Sequence, residues 1–443
     1  MSSETRFGLA WFFDLKNCVI VDPLHPSGRN IALPSDLSPD IIYLTNLSAR
    51  DIDSLDVPDI TRNLLLDEYT FTVRPSAVAM DLGWQTEAMS GVALDPDVKK
   101  AILTAVWRGY QVAFERAGII PGLHHKAQKG AFLQELCEKT LPGEFRQPAW
   151  PDIPQVKLKT AINAWVNVQR PPSADSHIIR TLSVDRHAFY RTFLAHPLPV
   201  GLWEGGDPGA TQEMMLGHLS DDRGILVRGA FTPVTNTSFP SSCFTAQSRE
   251  HFIAYEVLSL EEENAKIQVA DWWSGELKCA PDMLADIEEI SLGDALLLEM
   301  VHRSWRHNPA TGYWMACTER LALHGIAESI HSPLIPVLGY GSGRLTIATP
   351  RDSQKMAEQD KALESIAGDL MLQVPLDLTW QGDNLAGRLP LLSAIQRVAI
   401  CGHSYLYAID QAIDQVDQTA IDSVLSQAET SLTQRIESEK VSS

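Results

Sequence analysis

Cys243 is the residue best placed by sequence to act as a nucleophile. It stands in SFPSSCFTAQ, behind a proline and two serines. A helix starting there would lower the thiol's pKa and offer N–H donors to an oxyanion. A general base must come from elsewhere in the chain, and His251, His302 and His307 are the candidates. That pairing defines one reading, a hydrolase or transferase with a Cys nucleophile and a His base. No protease or transglutaminase signature surrounds Cys243, so its expected role is that of a buried structural thiol.

A second set of residues lies in PVLGYGSGRLTIATPRD, Pro336 to Asp352. A phosphate-cradling loop needs a helix directly after its glycines, so that free N–H groups and the helix dipole face the anion. Here Thr346, Ile347 and Thr349 are β-branched and Pro350 closes the run, which predicts a strand. The glycines lack GxGxxG spacing and no GKS or GKT follows. The stretch from Leu334 to Thr349 is therefore expected to form a β-hairpin turning at Gly339 to Gly343. The alternative makes Gly341, Ser342, Gly343 and Arg344 a clamp for a nucleic-acid or nucleotide backbone. Arg303, Trp305 and Arg306, with His307, Tyr313 and Trp314, offer cationic and stacking chemistry suited to a single strand or to a protein interface.

Metal chemistry is not expected. His124 and His125 are adjacent, and neighbours in a loop point in different directions. His302 and His307 are five apart, out of phase on a helix by about 140°. His324 and His331 are seven apart and return to one face, but no carboxylate or cysteine accompanies them at a recognised spacing. Acid pairs such as Asp221 and Asp222 read as solvated charges. No cofactor is expected.

Composition narrows the partners. The chain has 443 residues, 56 Asp and Glu against 36 Lys and Arg, and a formal charge of −20. Such a surface repels phosphate backbones and anionic membranes in general, without forbidding a local basic surface. The six cysteines are dispersed and no secretory signal or membrane-length apolar run is visible, so a cytoplasmic location with reduced thiols is expected.

The elements that must position these residues read as α+β. FGLAWFF and CVIVDP predict a hairpin, IIYLTN and EYTFTVRP further strands, and DPDVKKAILTAVWRGYQVAFERAG a helix from Pro96 to Gly118. HFIAYEVLSL and AKIQVADWW flank EEEN as a second hairpin, and GDALLLEMVHRSWRH predicts a helix. Proline-rich breaks suggest a mixed N-terminal domain over 1–147, a strand-rich domain with β-hairpins over 155–350, and a helical C-terminal part over 351–443. In that last part Ile409, Ile413, Val416 and Ala420 form a short heptad-like seam. The leading functional expectation is a non-enzymatic, protein-binding subunit of a cytoplasmic assembly, with other protein subunits as partners and self-association through the C-terminal helices. The cysteine enzyme and a nucleic-acid-binding subunit are the alternatives, the latter less favoured by the charge.

Overall fold

The computed structural model describes residues 6–31, 37–71, 73–79, 84, 96–127, 130–146, 166–184, 190, 194–206, 223–232, 251–254, 256, 266–280, 292–341, 343–367, 370, 372–373, 423, 426, 427 and 430. The chain is α+β, with helices and three separate sheets. It divides into two compact units. The first is Met1–Lys139, Ala285–Val301 and Pro375–Ser443; the second is Thr140–Leu284 and His302–Val374.

Unit 1 is built on strands β1 (Arg6–Phe12), β2 (Cys18–Asp22), β3 (His25–Ile31), β4 (Ile41–Thr45) and β5 (Leu65–Leu66), in the order β3-β2-β1-β4-β5. β1 to β3 form an antiparallel meander, while β4 runs parallel to β1 and β5 parallel to β4. The run FGLAWFF is apolar at nearly every position because the sheet is covered on both faces. Ala10 and Phe12 join Ile20, Ile41, Tyr43 and Leu55 on one side. On the other lies the long helix α4 (Pro96–Ala117), whose Trp107 Nε1 donates to Phe7 O at 3.1 Å. Its Phe114 meets Phe7 edge to face, centroids 5.1 Å apart. Short helices α1 (Ala49–Asp53), α2 (Asp59–Asn63), α3 (Pro75–Ala79) and α5 (Leu123–Ala127), and the longer α6 (Ala131–Thr140), complete the unit.

A buried carboxylate is folded into this core. Asp22 is fully buried and accepts from the backbone N–H groups of Leu24 and His25, each at 2.8 Å, and from Tyr43 Oη at 2.9 Å. Burial, with the Asp22 carboxylate beside it, pushes the Tyr43 hydroxyl well above the ordinary tyrosine range. Gly8 makes room for that tyrosine, since a Cβ there would lie 2.7 Å from its ring.

Unit 2 holds two antiparallel sheets. One has the order β10-β9-β11-β8, from β8 (Leu198–Gly205), β9 (Arg223–Thr232), β10 (His251–Ile253) and β11 (Lys266–Lys278). The other has the order β14-β7-β13-β12-β6, from β6 (Val166–Asn167), β7 (His177–Val184), β12 (Val337–Gly341), β13 (Arg344–Pro350) and β14 (Leu372–Gln373). A short helix α7 (Gly143–Arg146) precedes them, and α8 (Leu292–Trp305) enters the unit at His302.

Helix α9 (Pro309–Ile330) reaches both sheets. Asn308 caps it by accepting from Thr311 N, and Pro309 occupies the first turn, where its missing N–H costs nothing. Near its start Tyr313 Oη donates to His251 O, and Trp314 meets Trp203 edge to face at 5.5 Å. Near its end His324 Nδ1 is 2.9 Å from Tyr340 Oη on β12. Helix α10 (Ser353–Ala367) is pinned to the five-stranded sheet by Gln359, which donates to Leu334 O and Ala348 O and accepts from Thr349 Oγ1.

Two expected strand features are corrected. Glu68 to Pro75 is not a strand: Asp67 accepts from Tyr69 N and Thr70 Oγ1, which turns the chain and drops Phe71 onto Tyr110, Phe114 and Phe132. The arms flanking EEEN are not hairpin partners either, because β9 lies between β10 and β11 and pairs with both. The C-terminal seam, Ile409 to Ala420, lies outside the described residues.

Candidate nucleic-acid interface

The stretch from Leu334 forms the expected hairpin, but its turn is tighter than five residues. Gly341 pairs with Arg344, so the turn falls between these two residues. Gly343 sits at φ +70°, which the turn requires. Gly339 and Gly341 are strand residues, so their role is not that of turn formers.

Their role follows from register. Directly opposite residues in an antiparallel pair share a face. Val166, Tyr340, Leu345 and Leu182 lie in one such row across four strands, and all are fully buried against the helices. The next row, on the opposite face, is Asn167, Gly339, Thr346 and Thr181, with Asn167 and Thr181 exposed. The rows flanking it on this outer face add Gly341 with Arg344, Ala348 with Ile179, and Pro350 with His177. Arg344 is exposed and Ile179 is 59% exposed.

The outer face thus carries glycine, threonine, asparagine, isoleucine, alanine and proline, with an arginine at one end and a histidine at the other; Asn167, Ile179, Thr181 and Arg344 are exposed on it, whereas Gly339, Gly341 and Ala348 are buried. None of these positions is Asp or Glu, in a chain where acids outnumber bases 56 to 36. Glycine in a strand interior allows close approach of another backbone. Gly339 and Gly341 are both buried, so it is the chain's own packing that uses this room.

Under the turn a buried polar stack holds its position. A Cβ on Gly343 would lie 3.1 Å from Tyr190 Oη and 3.4 Å from Val184. The Tyr190 ring packs on His302 with centroids 4.6 Å apart. His302 Nε2 is 3.5 Å from Glu319 Oε2, which also receives Arg306 Nη1 at 3.0 Å. The structure therefore brings the glycine turn together, through Tyr190, with His302 of α8 and with Arg306 just past its end. Burial, then Arg306 and Arg303, holds the His302 pKa well below the ordinary value.

That placement has a pH signature. Unfolded, His302 takes up a proton near about pH 6.5; folded, it does so only at much lower pH. Below that ordinary value the unfolded chain binds more protons, so acidification destabilises the fold. Thermal melts from pH 7.5 to 5.5 are expected to fall more steeply for the native chain than for His302→Gln. Parallel slopes would show that His302 does not supply the difference.

The remaining sequence candidates fall elsewhere. Trp305, Tyr313 and Trp314 are 2%, 2% and 1% exposed, so the aromatic half of the Arg/Trp cluster is core and not a stacking surface. Trp305 donates to Thr140 Oγ1 at 2.9 Å. Arg303 is half-buried and His307 exposed. Cys243 and Ser342 lie outside the described residues. His324 is held by Tyr340, and His331, at the end of α9, accepts from Val337 N, so the two do not share a site. His124 and His125 do converge, contrary to expectation: both lie on α5, ring centroids 3.7 Å apart. Sequence reasoning missed Asn167, Thr181, Ile179 and Tyr190. The alternation in HIIRTLSV was the available signal for the middle two.

No protein-family model matches the chain, and no curated protein matches it. Among solved structures it shows a slight likeness to Phi29 DNA polymerase complexed with primer-template DNA, in the post-translocation binary complex, with a TM-score of 0.37 and 9% identity. The likeness covers 64% of this chain and 60% of that one, too loose a match to carry a functional argument.

Proposed function

We propose that the chain binds a nucleic-acid strand on the outer face of the five-stranded sheet in unit 2. The observation that supports this reading is the composition of that face: free of carboxylates at the register positions above, with Asn167, Ile179 and Thr181 exposed, and ending on exposed Arg344. On a chain of charge −20 such a face is where a phosphate backbone meets least repulsion. Exposed Thr181 and Asn167 hydrogen-bond sugar and phosphate, and Ile179 offers an apolar contact to a base. Sequence-independent affinity follows from such contacts.

The test is charge insertion. Thr181 is exposed and Thr346 half-buried on this face, and Thr181→Glu with Thr346→Glu is expected to leave the fold intact and weaken binding of a fluorescent single-stranded oligonucleotide at least tenfold. Arg344→Ala is expected to reduce the slope of log affinity against log salt by about 1, as for one lost phosphate contact. Unchanged affinity in the folded double variant would remove the face from consideration.

The protein-binding reading is supported by a different feature. Among the described residues β8 is an edge strand, and its Leu202 is 72% exposed. An edge with an exposed apolar side chain suits a partner that adds a strand. Leu202→Lys would abolish such an association and leave oligonucleotide binding unchanged.

A further inference from the structure

His124, His125 and Glu135 place three metal-ligating atoms within 4.8 Å of one another in unit 1. We propose that these three residues form a binding site for a zinc-class divalent ion, independent of the nucleic-acid reading. His124 Nε2 and His125 Nε2 lie 3.5 and 3.1 Å from Glu135 Oε2. Ligands about 2.0–2.2 Å from a tetrahedral zinc stand roughly 3.3 Å from each other, so both separations already suit the ion. Two imidazoles and one carboxylate match the borderline preference of zinc and its neighbours, and disfavour calcium and magnesium, which take oxygen ligands.

The supports are in place. The His125 side chain is fully buried and packs edge to face on Phe132 of α6, while His124 is 64% exposed and leaves the ion reachable from solvent. Lys139 Nζ lies 3.3 Å from Glu135 Oε1, which fixes the carboxylate and leaves Oε2 turned to the histidines. Without an ion, Gly122 N–H donates to His125 Nδ1 at 3.1 Å, so the ring proton is on Nε2 and faces Glu135. An ion on Nε2 moves that proton to Nδ1 and displaces the Gly122 N–H. Metal binding therefore loosens one backbone hydrogen bond at the start of α5, a small cost against three coordinate bonds.

The experiment uses the full chain, stripped with a chelator, and zinc alone as the probe, followed by calorimetry. One equivalent is expected to bind at micromolar affinity or tighter, and His124→Ala, on an exposed side chain, is expected to weaken it at least tenfold. Glu135→Gln is expected to do the same. Cobalt in place of zinc is expected to show d–d absorption without the intense near-ultraviolet band of thiolate ligands, which separates this site from the cysteines. No saturable zinc binding, binding unchanged in both variants, or a thiolate band would each overturn the proposal.

Discussion

Asp360→Ala is expected to destabilise the chain by about 3–5 kcal/mol, the cost of removing one member of a buried ion pair. Asp360, on α10, faces Arg180 on β7, and the two side chains are 5% and 2% exposed. Losing the carboxylate leaves a buried guanidinium short of the anion it faces, and burial makes that far costlier than the loss of a surface pair. The pair lies on the inner face of the sheet whose outer face is the proposed interface. The double variant Arg180→Met with Asp360→Leu removes both charges and is expected to recover most of the loss, because apolar groups of similar volume replace a buried pair at little cost. Denaturant midpoints of the three variants decide the matter. A single variant as stable as the native chain would show that the pair is dispensable.

Gly312→Ala is expected to be the second large effect. A Cβ on Gly312 would lie 2.2 Å from the carbonyl oxygen of Arg306 and 2.7 Å from its carbon. Those are backbone atoms, which cannot swing aside as a side chain would. Overpacking commonly costs about 1–3 kcal/mol, and a clash with backbone belongs at or beyond the top of that range. Relief requires α9 to move away from the end of α8, which carries Arg306 off Glu319. Chemical denaturation checks the stability. A wild-type midpoint would mean that the α8–α9 junction relaxes freely.

Much of the fold was legible where one local rule dominated. Pro96 and Gly118 bound α4 as expected, Gly118 at φ +64°, and Asp352 accepts from Lys355 N at the start of α10. The Gly339 to Gly343 hairpin followed from β-branched residues after the glycines. Legibility failed where long-range contacts decided. Nothing near EEEN reveals that β9 inserts between the two arms. The α9 helix announces itself only through Asn308 and Pro309, since it is buried on nearly all sides and shows little amphipathic pattern. The candidate site was half legible. Arg344 and Gly341 stood out by sequence, whereas Thr181 and Asn167 join them only through strand register, which no local motif encodes. The convergence of His124 and His125 depends likewise on Glu135, reached from a neighbouring helix.

Photo-crosslinking of the full chain with an oligonucleotide carrying 4-thiothymidine, followed by mass spectrometry of the peptides, tests the proposed interface most directly. Adducts are expected on the peptides carrying Asn167, Ile179 to Thr181 and Gly339 to Thr346, and they are expected to disappear in Thr181→Glu with Thr346→Glu. Adducts confined to other peptides, or crosslinking that persists undiminished in the folded double variant, would contradict the assignment of this sheet face to nucleic acid.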